Sequence, residues 1–524
     1  MKASARILRS ERVRATAASA VVVLVALAAC APQRYQPRPV ELSFALPDGA
    51  QALDTGFEQQ HGTMPNTGAA TDAQPNSAVA GPLLLDVVID SVVSRYPPYL
   101  STLLERDLAS GRLTQAMGAF DTTLGAKVGG QIQGFYQSTL GQSLLEQPLA
   151  TGDTLYGGYR ISDGNLPDYN KDRTQDSGEL VFGGRVPLLR DRAMDRRRTG
   201  VRQAEIDVML ADPTIARARI DYVRAATRTY FTWIAAGQRI QVARELLRLA
   251  TDRVDALQRA VAREFLAPID ITDNERLIAQ RRVFVVNAER QFQQVALEIS
   301  LFLRDANDAP LVPGPERLPT ELPPPIALPN ALEADIATAM RQRPELRRFQ
   351  LLIDRARTDL ELAENQTLPS LDFVVEAARS LSNGPYNDRE DLELWIGGEL
   401  KLPLQRRDAL GRREQAIARL SQVLIEERFA RERIVNDIAD ARSATRAALD
   451  QIGSTQRNVQ LARELVTAEE RALERGRSDL LRIQLREVQL ADAQVLELDA
   501  QLAYRRAQAD LRAALAHDAA EHAR

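Results

Sequence analysis

Histidine and cysteine are the scarcest reactive side chains in this 524-residue chain, three of one and one of the other. His61 lies in the N-terminal part and His517 and His522 at the far end, so none has partners nearby for a triad or a metal site. The sequence contains no HExxH, no GxSxG and no phosphate-cradling glycine loop. Acidic residues are abundant, but among arginines at helical spacing they read as solvated i,i+4 partners. The reading is therefore of a chain that is no enzyme and needs no cofactor or metal. The charges that stand apart sit where long helical patterns reverse. Asp270 and Asp273 open one return, and Arg475, Gly476, Arg477, Asp479 and Arg482 open another. An aspartate at a helix start caps free N–H groups and favours the macrodipole, so capping is the plainest role for Asp270 and Asp479.

Composition limits what must position these residues. Aromatics are 5% of the chain, and Ala, Leu, Arg, Glu and Gln dominate, which suits long helices better than several compact cores. A net charge of −4 gives no electrostatic case for nucleic acid. At the N-terminus, Lys2, Arg6, Arg9, Arg12 and Arg14 precede an apolar run, Ala15–Leu27, too short to span a bilayer. The run ends in Leu27-Ala28-Ala29-Cys30, which resembles the bacterial lipoprotein signal. That resemblance implies cleavage after residue 29 and acylation of Cys30, and Ala31 after it implies sorting to the outer membrane. With a single cysteine, a disulfide framework is excluded. Residues 30–81, rich in Pro, Gly, Thr and Gln, read as a tether.

Strands come next. Leu392, Leu394, Ile396, Gly398, Leu400 and Leu402 alternate with Glu393, Trp395, Gly397, Glu399 and Lys401, one apolar and one polar face, until Pro403 stops the ladder. A similar unit occurs about two hundred residues earlier, in GELVFGGRVPLLRDRAMDRRR from Gly178 to Arg198. Phe120–Tyr136 alternates over an unusual length, as a strand between lipid and water would. Residues 371–377 form another strand, while Ser138–Ser177 and Ser380–Asp391 read as loops. Alternation assigns Lys127, Gln131, Gln133, Glu179, Arg185, Glu393, Glu399 and Lys401 to the polar side.

Helical patterns fill the rest. One runs from Leu188 to about Glu264, with a kink or restart expected at Asp212-Pro213, and spans about 110 Å. Its return carries Ile271, Ile278, Val285, Phe292 and Ile299 at sevens, the mark of a left-handed coiled coil. Eight prolines between Ala309 and Asn330 form a linker, after which the pattern repeats. The second long helix runs from Leu404 to about Arg475, and Leu481, Val488, Val495 and Leu502 recur at sevens in its return. One full-length helix matches Leu332–Glu364 and Asp479–Leu515 placed end to end, about 105 Å either way.

Strand, strand, helical hairpin, proline linker, then all of it again: this order resembles the TolC-like outer membrane factors, lipoprotein type. RPELRRFQLLIDRARTDLELAENQTLPSLDF (Arg343–Phe373) and RALERGRSDLLRIQLREVQLADAQ (Arg471–Gln494) carry the resemblance most specifically. It implies a mainly α chain with a β-barrel part. Repeats would span residues 82–308 (strands about 119–137 and 178–187, hairpin about 188–304) and 331–515 (strands about 370–378 and 391–402, hairpin about 404–515). A linker at 309–330 would join them, with a polar tail at 516–524. Each protomer would give four strands to a twelve-stranded barrel in a homotrimer, continued by a periplasmic α-helical tube. The partners implied are a periplasmic adaptor, an inner-membrane pump and outer-membrane lipid, with no nucleic acid. The polar strand residues would face the lumen, and the two helix turns would form a periplasmic gate. Aligning Asp270 with Asp479 sets Asp273, at the family's acidic position, against Arg482. Pairs of Asp273 with Arg482 or Arg477 are the expected latch. The competing reading is a periplasmic coiled-coil adaptor or scaffold without a pore.

Overall fold

The computed structural model describes residues 81–519, apart from 167–172, 265, 321, 330, 383–391 and 476. Cys30, the tether and Gly476 lie outside the described residues. The chain folds into two compact units. One holds residues 112–204 and 357–418, the other residues 205–356 and 419 onward together with the segment that ends at Gly111.

The first unit is built on a six-stranded antiparallel sheet in the order β1-β2-β3-β4-β5-β6. Its strands are β1 (Thr123–Gln131), β2 (Ser138–Pro148), β3 (Thr154–Gly164), β4 (Glu179–Pro187), β5 (Ser370–Ser380) and β6 (Leu392–Lys401). Three of the expected strands recur with shifted ends, and β1 is shorter than Phe120–Tyr136. The expected loop Ser138–Ser177 is corrected outright, because it contains β2 and β3. Gly152, at φ 93, makes the reversal between them, with its N–H bonded to the Leu149 carbonyl. A side chain there would meet the Arg198 guanidinium and the Asp191 carbonyl.

Register assigns the two faces of the sheet. Leu124 pairs with Leu145, Gly157 with Phe182, Gly184 with Val375 and Val375 with Ile396, so these side chains share one face. Lys127 pairs with Gln142, Gln142 with Arg160, Arg160 with Glu179 and Asp372 with Glu399 on the other. The apolar face is the bare one: Leu124, Val128, Phe182, Leu394, Ile396 and Leu400 are all exposed. Every buried strand residue, from Arg160 and Ser162 to Glu179, Val181, Ser370 and Ala378, lies on the polar face. This inverts the rule for sheets in water, where the apolar side is covered.

Helix starts in this unit lie later than expected. After β4 the chain bends through Asp191 (φ 69), whose N–H donates to Asn365 Oδ1 at 2.7 Å. The helix α4 (Arg196–Asp252) begins where the Asp195 carboxylate accepts from the Arg198 N–H at 2.8 Å. The long helix of the second repeat likewise begins at Arg407, after Arg406 at φ 46.

The second unit is helical. Ahead of the sheet strands in sequence come α1 (Leu85–Arg95), α2 (Pro97–Leu103) and α3 (Glu105–Met117). Helix α4 continues without a break through Pro213, so the helix does not restart there, and it gives way at Arg253 to α5 (Val254–Ala262). The return is α6 (Ile269–Ser300). The second repeat supplies α7 (Leu332–Gln342), α8 (Pro344–Asn365), the 68-residue α9 (Arg407–Glu474) and α10 (Leu480–Ala514). Among the described residues, no helix is long and apolar enough to cross a membrane.

The main helical core gathers Leu83, Val88 and Val92 of the N-terminal segment around Trp233, Ile234, Phe292 and Ile299. Trp233 is fully buried and stacks on Phe292 with ring centroids 6.1 Å apart. The proline linker packs on α10: the Tyr504 hydroxyl donates to the Ile326 carbonyl at 3.0 Å, and Arg505 donates to the carbonyls of Pro323 and Pro324. Arg442 of α9 reaches the Pro329 carbonyl.

The expected row of sevens is buried at Phe292 and Ile299 of α6 and at Leu502 of α10, whereas Leu481 and Val488 are exposed and Ile483 and Glu487 face inward. Trp233→Ala is expected to cost about 3–5 kcal/mol, since it empties the centre of this core. Thermal unfolding followed by circular dichroism should show a clearly lower midpoint, whereas an unchanged midpoint would refute the assignment of the core.

Candidate functional site

Two groups of polar residues stand out, one on the sheet and one near the helix turns. Seven of the eight residues assigned to the polar side fall on one face of the sheet: Lys127, Gln131, Glu179, Arg185, Glu393, Glu399 and Lys401. Gln133 does not, because β1 has ended at Gln131 and Gln133 lies in the turn that follows. Its carbonyl accepts from the Gln131 side chain at 3.2 Å.

The centre of the polar face was not anticipated, since it is organised by β3. Arg160, 4% exposed, bonds to Glu179 at 2.5 Å and reaches Glu376 at 3.4 Å. Tyr156 donates its hydroxyl to the other Glu376 oxygen at 2.9 Å. Two carboxylates thus share one guanidinium, which satisfies its donors and holds both acids against the wall. Tyr156 also lies over Gly183 of β4, where an added Cβ would collide with its ring. The ring occupies the room that a larger residue would take, an aromatic cover for a glycine in a strand. Nearby, Thr174 and Ser162 exchange hydrogen bonds between backbone and hydroxyl at 2.9 and 2.8 Å.

Asp479 caps its helix as expected, whereas Asp270 lies within the first turn of α6 and closes the turn that precedes it. The Asp270 carboxylate accepts from the Ala267 N–H at 3.0 Å, and Asp479 accepts from the Arg482 N–H at 2.9 Å. Asp273 pairs with Arg276 at 3.8 Å and Arg482 with Asp479 at 3.6 Å, each within its own helix. The expected pairs of Asp273 with Arg482 or Arg477 are therefore not what these side chains form within one chain. Each charge lies beside a local partner one turn away and remains open to solvent. Arg475 and Arg477 flank the turn, and the Arg477 N–H bonds to the Ala472 carbonyl at 2.9 Å.

Deeper in the helices lies a cluster that the apolar sevens did not reveal. Arg281 of α6 is 1% exposed, donating to Glu487 of α10 at 2.9 Å and to the Leu246 carbonyl at 2.5 Å. Arg253, between α4 and α5, donates to the other Glu487 oxygen. Asn274, one helical repeat before Arg281, donates to the Ala250 carbonyl at 3.0 Å. Burial pushes the Arg281 guanidinium below its ordinary value, and Glu487 opposes that shift. The signal was present in the sequence. Ile278, Val285 and Phe292 form one seam row, and the complementary row reads Asn274, Arg281, Ala288, Val295. A buried charged seam fixes register, because any slip would leave a guanidinium without its acid.

Comparison with known proteins follows the same architecture. Residues 336–517 match the family model described as outer membrane efflux protein. That match falls on the second repeat. No curated protein matches the chain. Among solved structures, a membrane protein from Pseudomonas aeruginosa is 16% identical with a TM-score of 0.61, covering 86% of this chain and 96% of that one. The outer membrane protein VceC of Vibrio cholerae, also 16% identical, has a TM-score of 0.58 over 82% of this chain and 96% of its own. The Neisseria gonorrhoeae MtrE outer membrane channel, in its open state, is 16% identical with a TM-score of 0.58, covering 82% and 88%. At these identities the likeness establishes the fold. The fold is that of TolC-like outer membrane factors, a strand sheet with long helical hairpins, and outer membrane efflux proteins are channels and not enzymes.

Within this fold, Glu487→Ala would strand two buried guanidiniums and is expected to destabilise the helices by about 3–5 kcal/mol. Replacing Arg253 and Arg281 with Met in the same chain should recover most of that loss. Thermal melts of the variants decide it. Equal midpoints for wild type and Glu487→Ala would show that the cluster holds nothing.

Proposed function

We propose that the chain is the outer-membrane conduit of a tripartite export system, conducting drugs or other exported molecules passively to the exterior. Three copies would close the barrel and the helical tube. A periplasmic adaptor would couple them to an inner-membrane pump, and lipid on Cys30 would anchor each copy. One observation carries the reading: the sheet shelters its polar face and bares its apolar one. That arrangement is favourable with hydrocarbon outside and water inside. A pore-less adaptor or scaffold would leave the same large apolar side chains in water, where they are costly.

Self-association has support in the helices too. Leu424, Ile425 and Phe429 of α9 and Val283, Phe284 and Val286 of α6 are exposed in the single chain. These are faces that neighbouring copies would cover.

Reconstitution into planar bilayers tests the function. Discrete, long-lived conductance steps are expected, together with drug sensitivity in cells lacking the gene and its reversal on complementation. Protein that gives no steps and leaves drug sensitivity unaltered would refute the conduit. In the proposed assembly Asp270 and Asp273 of three copies ring the periplasmic end, with Arg475, Gly476, Arg477, Asp479 and Arg482 on the facing turns. Changing both aspartates to Asn is expected to lower the cation preference of the single-channel current severalfold. An unchanged reversal potential would remove these residues from the permeation path. Cys30→Ser should abolish incorporation of labelled palmitate, and retained label would place the lipid elsewhere.

A further inference from the structure

We infer that the hairpin β2–β3 is a full part of the channel wall, so that three copies close a barrel of eighteen strands and not twelve. The inference rests on the conduit reading above and adds its bore. Six strands per chain follow from one continuous sheet. The hairpin does not lie on that sheet as a flap, because it is interposed between β1 and β4. Pairing runs along β1 and β2 from Thr123↔Glu146 to Gln131↔Ser138, along β2 and β3 from Ser138↔Gly164 to Pro148↔Thr154, and along β3 and β4 from Thr154↔Arg185 to Arg160↔Glu179. Removing β2 and β3 would leave β1 with no partner and β4 with an open edge.

Sidedness agrees. On β3, Leu155, Tyr159 and Ile161 project with the apolar row of β4, while Tyr156 and Arg160 project with Glu179. The outward row of β2 is small, Thr139, Gly141 and Ser143, closed by Leu145. Arg160 then fastens the hairpin to β4 and β5 through Glu179 and Glu376. A strand whose central charge is buried against its neighbours is not free to swing out.

What remains unpaired are the outer edges of β1 and β6, nine and ten residues long. In hydrocarbon such edges must be satisfied by backbone. A second copy of this chain is the occupant the sheet fits. With all five neighbouring pairs antiparallel, β1 and β6 run in opposite senses, so β6 of one copy would continue into β1 of the next as another antiparallel pair. On the polar side β1 carries Lys127, while β6 carries Glu393, Glu399 and Lys401, the last two paired at 2.5 Å, so the β6 row keeps a net acidic charge opposite Lys127. Six strands alone fall below the smallest barrels, of about eight. Since diameter grows roughly linearly with strand number, eighteen strands give a bore about 1.5-fold that of twelve. The opening then suits bulkier hydrated cargo than a twelve-stranded wall would pass.

Single-particle imaging of the full-length protein in lipid nanodiscs counts the strands directly. A three-fold particle with eighteen strands is expected. A three-fold particle with twelve, and β2–β3 outside the wall, would overturn this inference and leave the conduit standing, whereas particles without any barrel would overturn both. Single cysteines along β2 give a second readout, corrected for labelling of the unsubstituted chain. Gln142→Cys and Glu146→Cys should react with a membrane-impermeant maleimide, and Ser143→Cys and Leu145→Cys should be at least tenfold slower. Equal labelling of the two rows would mean that the hairpin does not separate lipid from water.

Discussion

The requirement that no backbone hydrogen-bonding group be left bare in an apolar medium governs this molecule. A sheet with an exposed apolar face is stable only where that face meets hydrocarbon, and there an open edge costs several kcal/mol per unpaired group. The outer edges of that sheet are β1 and β6, the strands that another copy would pair with in the proposed assembly. Much else in the sheet serves the same end. Glycines allow close approach, aromatic rings cover them, and Arg160 ties three strands together from the wet side.

The helices solve a different problem with the same economy. A wall of packed helices has no thick core, so specificity must come from seams. Trp233 and Phe292 supply apolar anchoring at one level, and the Arg253–Arg281–Glu487 cluster supplies register at another. Two guanidiniums on one carboxylate leave buried positive charge, and Arg281 Nε and Asn274 Oδ1 have no hydrogen-bond partner among the described residues. Such a seam adds less stability than an apolar one would, but it discriminates strongly against misalignment.

What could be read from the sequence divides along physical lines. β4 and β6 were legible because large apolar residues alternate with charges, as in Leu394, Ile396 and Leu400 against Glu393 and Glu399. β2 was not, because its row on the apolar face is small, Thr139, Gly141 and Ser143, and small residues carry little periodic signal. The helices were plain, but their starts were displaced by caps such as Asp195 that act over a few residues. Seven of the eight polar-side residues were placed by alternation alone, and Gln133 failed only because β1 ends two residues before it. The row holding Asn274 and Arg281 stood in the sequence at sevens, but its meeting with Glu487 across α6 and α10 needed three dimensions.

The proline linker has one further consequence. From Pro323 to Pro325 the backbone offers three carbonyls and no N–H, so it can only accept. Its partner on α10 is accordingly a donor, Arg505, and only past the three prolines, at Ile326, does the strap both give and take a hydrogen bond with the Tyr504 hydroxyl. An extended segment of this kind is bound without being able to template another strand. Beside an unfolded chain, a strap that cannot recruit a neighbouring backbone resists being the seed of an aggregate.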